Sequence, residues 1–141
     1  MIYSMENDKD ISIFDKYSAE LREELDLSDF NIKDIQMRLP AVKHKWVSRM
    51  IQQKIELNKL KKLKTESIEA VVNKLRKDNP VLLSDSALSK QAEKNDVVQK
   101  IILKMEECEL LIEYLEKVER LCNGATYDIK NLIDIKKLEL N

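Results

Sequence analysis

The side chains with the clearest chemical capacity form a basic run between residues 43 and 64, in which Glu56 is the only acid. Lysine dominates this run, and lysine is a flexible point charge that contacts phosphate without the fixed fork of arginine. Such a composition favours binding to a nucleic-acid backbone, which carries no sequence information. The predicted contact residues are Lys43, Lys45, Trp46, Arg49, Lys54, Lys59, Lys61, Lys62 and Lys64. The alternative is a solvated helix face that is neutralised by an acidic segment of the chain.

Trp46 is the only tryptophan of the chain and lies inside this basic run. It could stack on an unpaired base, which is worth about 1–3 kcal/mol per base in single-strand sites. It also lies four residues from both Val42 and Met50, the spacing of one helix face. The spacing favours packing in the core, although base stacking stays open as the alternative.

Charge is divided into blocks along the chain. Residues 38–77 carry twelve Lys or Arg and three acids, a net charge of +9, whereas residues 1–37 carry −6 and residues 78–141 carry −4. A local field of this size attracts polyanions even though the whole chain has a net charge of only −1. We therefore expect nucleic acid as the first partner and an acidic protein as the second.

Catalytic and metal-binding constellations are missing from the sequence. His44 is the only histidine and has no nucleophile beside it, and one glycine, Gly124, is too few for a phosphate-binding loop. Cys108 and Cys122 fall in an apolar stripe and are expected to be reduced core residues. The sequence thus predicts no enzyme, no cofactor and no metal. The acidic N-terminus and the lack of a long apolar stretch predict a cytoplasmic protein without a membrane segment.

The elements that must position these residues are predicted to be helices throughout. One Gly and two Pro are too few for the turns of a β-rich fold, and the Lys, Glu, Leu and Ile content is typical of long helices. The predicted class is all-α, with an elongated protomer divided into an acidic segment (1–37), a basic helix (38–78) and an oligomerisation region (79–141). The predicted elements are loosely ordered residues 1–12, a helix over 13–27, a helical segment up to 38, a long helix from Pro40 to Lys77, and helices over 85–94, from about 98 to Asn123-Gly124, and over 127–138.

The C-terminal third carries a heptad-like apolar seam, with apolar residues three or four apart from Val98 to Cys122. A thin helical protomer has a modest core, so pairing with further copies adds burial that one chain lacks. The predicted self-association residues are Val98, Ile101, Met105, Cys108, Ile112, Leu115, Val118, Ile129, Ile133 and Leu138.

Four sequence features together resemble the UvsY family of phage recombination mediators over about residues 39–140. They are Lys45-Trp46 early in a basic helix, NDVVQKI at 95–101, LLIEYLEKVERL at 110–121 and YDIKNLI at 127–133. The resemblance implies a small, helical, non-enzymatic protein whose C-terminal helices assemble it into a homo-oligomeric ring of roughly six or seven subunits. It implies binding to single-stranded DNA, displacement of a single-strand-binding protein and loading of a RecA-like recombinase.

Only a few positions of this chain match the family's motifs residue by residue. By position, Lys45 and Trp46 match the early motif, and the tail motif is matched by Tyr127, Ile129, Lys130 and Asn131. The short Lys-Ala-Arg-Leu type DNA-contact motif of the family is absent, so the contact residues above are inferred from charge. The alternative function is a helical coiled-coil adaptor whose basic segment meets an acidic protein or its own N-terminal segment.

Overall fold

The computed structural model of the chain describes residues 2–28, 30–78 and 83–140, with side chains from Ile13 onward. These residues form helices and short connections without any strand, so the all-α prediction is confirmed. The helices are α1 (Ile2–Glu24), α2 (Ile32–Asp78), α3 (Asp85–Glu93) and α4 (Asp96–Leu140). Over the residues described, no helix is long and apolar enough to span a bilayer.

Helix α1 spans Ile2–Glu24, so the predicted helix over 13–27 is confirmed as far as Glu24, and the prediction that residues 2–12 are loosely ordered is wrong. Asn31 organises the connection to α2. Its Oδ1 accepts a 2.7 Å hydrogen bond from the Ser28 N–H, and its Nδ2 donates to the Asp26 carbonyl at 2.8 Å. These side-chain bonds satisfy backbone groups at the point where the helical ladder is interrupted.

Helix α2 runs without interruption through Pro40, so the prediction that a helix begins there is wrong. A proline inside a helix removes one backbone hydrogen bond and costs about 3 kcal/mol. The preceding turns bury Ile35 and Leu39 in a cluster with Ala125 and Ile129 of α4, and this burial offsets the cost. The predicted break after residue 77 is confirmed by the end of α2 at Asp78.

The short third helix agrees with its prediction over 85–94. The Ser84 hydroxyl accepts a hydrogen bond from the Ala87 N–H at 3.2 Å, which caps the N-terminus of α3.

Helix α4 continues past Asn123-Gly124, so the predicted break and the separate final helix over 127–138 are wrong. Gly124 does not adopt a positive φ, the conformation that a glycine C-cap requires. A glycine within a helix costs about 1 kcal/mol relative to alanine. Its neighbours Cys122 and Ala125 are both buried, and their packing holds the helix together across it.

The chain divides into two compact units, Met1–Ile51 with Leu111–Asn141, and Gln52–Leu110. The first unit has two apolar clusters. One contains Leu21, Trp46, Leu115, Val118 and Cys122, and the other contains Ile35, Leu39, Ala125 and Ile129. The buried side chains of the second unit are Leu60, Leu88, Ala92, Val98, Ile101 and Cys108. The functional division of the sequence at residues 37 and 78 stays a prediction.

Candidate nucleic-acid interface on helix α2

The N-terminal part of the basic run is paired with acidic side chains of α1. The Lys45 Nζ lies 2.6 Å from Glu24 Oε1 and 3.4 Å from Glu20 Oε2. The Arg49 Nη1 donates to Glu20 Oε2 at 2.7 Å. Lys45 and Arg49 are four residues apart on α2, as are Glu20 and Glu24 on α1, so each helix presents its two charges on one face. Two of the predicted phosphate-binding cations are therefore already neutralised within the protomer.

The Glu20 carboxylate is stabilised in its ionised form by these pairs. The hydrogen bond from Arg49 holds the pKa of the Glu20 carboxyl below its ordinary value, because it stabilises the ionised form. Partial burial acts in the opposite direction, and Lys45 adds to the lowering. A phosphate that binds Lys45 or Arg49 must displace an ionised carboxylate.

Trp46 packs in the core of the first unit, where its side chain is only 1% exposed. The Tyr17 ring meets it edge-on, with 5.4 Å between centroids. The Lys45 Nζ and the Arg49 guanidinium carbon lie 5.1 and 4.8 Å from the indole centroid, within the range of cation–π attraction. This enclosure leaves no ring face for a base, and it favours the core alternative for Trp46.

Lys43 lies farther toward the N-terminus of α2 and is half-buried. Its Nζ donates a 3.1 Å hydrogen bond to the Thr126 hydroxyl of α4. This bond directs the Lys43 amine toward α4, so Lys43 lies in a different environment from the lysines farther along α2.

The C-terminal part of the run presents its charges to solvent. Lys59, Lys61 and Lys62 are exposed, and none of the three forms an ion pair with any residue that the structure describes. They flank the buried Leu60, and at about 100° per residue they fan out over the faces of α2 that point away from it. Lys64, about 40° from Leu60 on the same helical wheel, is accordingly half-buried. Lys54 is exposed and makes a contact within the chain.

The predicted self-association seam is largely used inside the protomer. Of its ten residues, seven are buried (Val98, Ile101, Cys108, Ile112, Leu115, Val118 and Ile129), two are half-buried (Met105 and Ile133), and Leu138 is exposed. Leu115 and Val118 belong to the Trp46 cluster. The periodicity that predicts a seam cannot tell whether the partner is a second chain or another helix of the same chain.

Two sets of residues escape the sequence analysis. The first set is Glu20 and Glu24, which pair with Lys45 and Arg49 of α2. Their only signal in the sequence is that they lie four residues apart, as Lys45 and Arg49 do. The second set is the exposed apolar side chains of α4 in the first unit that the predicted seam omits, namely Leu121, Tyr127, Ile135 and Leu140. They lie off the heptad positions, and only the packing reveals that they face outward.

The all-α fold of this chain is similar to that of a solved phage recombination mediator. The fold matches the crystal structure of the bacteriophage T4 recombination mediator protein UvsY with a TM-score of 0.76 and 12% sequence identity, over 89% of this chain and 97% of that one. A second crystal lattice of UvsY matches with a TM-score of 0.73 and 13% identity, over 90% and 97% of the two chains. The resemblance predicted from the sequence is thereby confirmed as a likeness of fold. No protein-family model and no curated protein sequence matches the chain.

Proposed function

We propose that this chain is a recombination mediator of phage homologous recombination in the cytoplasm of a bacterial host. It binds single-stranded DNA, helps to displace a single-strand-binding protein and loads a RecA-like recombinase. The observation that carries the proposal is the fold shared with T4 UvsY over 97% of that protein, combined with a solvent-exposed lysine run on α2. A mediator performs no covalent chemistry, so the proposed activity is non-enzymatic and needs no cofactor.

The strand contacts the exposed part of the basic run. Lys59, Lys61 and Lys62 are exposed without ion pairs among the described residues, so phosphates meet them without displacing a carboxylate. Their fan-like arrangement suits a flexible strand gripped by its backbone, independently of sequence. Lys54 and Lys64 flank this patch. Lys43, Lys45 and Arg49 are bonded within the chain and contribute only if the strand competes for them.

Self-association strengthens the binding of single-stranded DNA. One patch of three lysines binds a strand loosely, whereas a ring repeats the patch around its axis and converts each later contact into an intramolecular one. The exposed apolar side chains of α4, among them Leu121, Tyr127 and Leu138, supply surface for such assembly.

Mediation requires more than binding. A ligand shifts an equilibrium only through its different affinity for two states. The mediator must therefore hold the strand in a form that favours the recombinase over the single-strand-binding protein.

The ion pairs between α1 and α2 favour a second candidate function, a helical adaptor whose basic segment is satisfied by its own acidic segment. Glu20 and Glu24 form ion pairs with Arg49 and Lys45, which is the kind of contact that this hypothesis requires. The adaptor hypothesis expects weak DNA binding that is insensitive to the exposed lysines.

The test replaces Lys59, Lys61 and Lys62 by alanine together. The matched control replaces Lys90, Lys104 and Lys117, which are also exposed, and makes the same change of net charge. Each phosphate contact on a single strand contributes a slope of about −0.7 to the dependence of log affinity on log salt. The first variant should flatten that slope by about 2, whereas the control should retain it. Equal slopes in both variants would remove these lysines from the interface.

The functional assay follows the lag in ATP hydrolysis by the cognate recombinase on strands that the single-strand-binding protein already covers. The chain should shorten this lag, and the alanine variant of Lys59, Lys61 and Lys62 should not. A chain that binds the strand tightly and leaves the lag unchanged is a coating or adaptor protein, and the mediator proposal fails.

A further inference from the structure

An open groove of about 520 Å³ lies in the first unit, between the N-terminal turns of α2 and the C-terminal part of α4. Its volume falls within the range of about 300–1,000 Å³ that is typical of binding clefts. The groove is separate in sequence from the exposed lysines of the proposed DNA interface. Its floor is aliphatic and is formed by the buried Leu39 and Ile129 with the half-buried Ile133, and the exposed Pro40 also lines the groove.

The rim of the groove carries an excess of positive charge. Lys43, Lys130 and Lys137 line it, against a single acid among the described lining residues, Asp134. Lys130 and Lys137 are exposed, and neither forms an ion pair within the described part of the chain. The hydrogen bond to Thr126 holds the third amine, that of Lys43, on the α4 side. A ligand that complements this groove combines apolar side chains with negative charge.

The backbone of the groove wall adds a feature that fits a peptide. Pro40 has no N–H and cannot complete the helical hydrogen bond to the carbonyl of Gln36, and both residues line the groove. A peptide backbone can donate an N–H to that carbonyl, whereas a phosphodiester backbone has no such donor. None of the described lining residues is aromatic, so bases lack the stacking platform that single-strand sites use.

We infer that this groove is a docking site for an acidic segment of a partner protein that carries apolar anchor residues. The anchors bury against the aliphatic floor and supply most of the affinity. The exposed rim lysines contribute little individually, and their role is to select acidic segments over neutral or basic ones. The residues that hold the protein partner are thus different from those of the lysine patch.

The test uses fluorescence anisotropy of a labelled synthetic peptide whose leucines form one face and whose glutamates form the other. The full chain should bind this peptide and should ignore a matched peptide with lysine in place of each glutamate. Lys130→Glu together with Lys137→Glu should weaken binding of the acidic peptide by at least about tenfold and create binding of the basic one. The control, Lys117→Glu with Arg120→Glu, makes the same charge change at exposed positions of α4 and should leave peptide binding unchanged.

Four outcomes overturn the inference. The acidic peptide fails to bind, or it binds equally to the wild type and the groove variant. Single-strand affinity falls much further in the groove variant than in the control, in which case the groove holds nucleic acid. The sedimenting mass of the groove variant drops relative to the control, in which case a second copy of the chain occupies the groove. The peptide readout requires no DNA, so failure of this inference is distinguishable from failure of the mediator proposal.

Discussion

Replacing Trp46 separates a core role from a DNA-binding role. The indole is 1% exposed and belongs to the cluster with Leu21, Leu115 and Val118. Trp46→Ala should lower the free energy of unfolding by about 3–5 kcal/mol, the usual cost of emptying an aromatic core site. That is a large fraction of the roughly 5–15 kcal/mol that holds a small protein folded. The melting temperature of this variant should fall sharply.

Trp46→Phe should be far milder. It keeps an aromatic ring against Tyr17 and loses part of the indole area and some cation–π attraction to Arg49. The indole Nε1 is buried and has no hydrogen-bond acceptor among the described residues, so its loss removes an unsatisfied donor. The opposing effects leave a net destabilisation of about 1–2 kcal/mol.

The assay is urea unfolding at fixed protein concentration, together with fluorescence of the wild-type chain during titration with an oligonucleotide. A buried indole should show blue-shifted emission that DNA does not quench, and the Trp46→Phe variant should bind DNA with wild-type affinity. Strong quenching by DNA would refute the packing argument. So would a Trp46→Phe variant of unchanged stability that binds single strands much more weakly.

Three further outcomes follow from the structure. Gly124→Ala should stabilise the chain by about 1 kcal/mol, because Gly124 lies within α4 and an added Cβ meets no atom within 4 Å apart from the backbone of the helix itself. A fall in the melting temperature of this variant would contradict the reasoning. The pKa of Glu20 is lowered in the folded state, so the contribution of this carboxylate to stability is complete above the ordinary value of 4.5 and is lost as pH falls through the folded value. The unfolding free energy of the Glu20→Gln variant should therefore decline less steeply below pH 4.5 than that of the wild type. Parallel curves of unfolding free energy against pH would contradict the pairing. Burial raises the pKa of the Cys108 and Cys122 thiols. Their alkylation at mildly alkaline pH, followed by mass spectrometry, should therefore be much slower in the native chain than in urea. Equal alkylation rates would mean that both thiols are accessible.

The sequence by itself determined the features that depend on local composition. The scarcity of Gly and Pro and the helix-forming residues gave the all-α class. The predicted end of the basic helix at Lys77 lies one residue before the end of α2 at Asp78, and the predicted helix over 85–94 agrees with α3. The lysine run could be located from charge alone, because Lys59, Lys61 and Lys62 are exposed and form no ion pair with a described residue.

Tertiary structure decided everything that depends on what a helix packs against. Local rules place helix boundaries at Pro40 and Gly124, yet α2 and α4 continue through both, because buried neighbours offset penalties of about 1–3 kcal/mol. The same dependence decided which cations face solvent. Lys45 and Lys59 belong to the same lysine run, but α1 places the Glu24 carboxylate beside Lys45, whereas no described carboxylate pairs with Lys59. Helical periodicity fixes which residues share a face and not what covers that face, and packing within the chain buries most of the heptad seam, whose role in self-association stays a prediction.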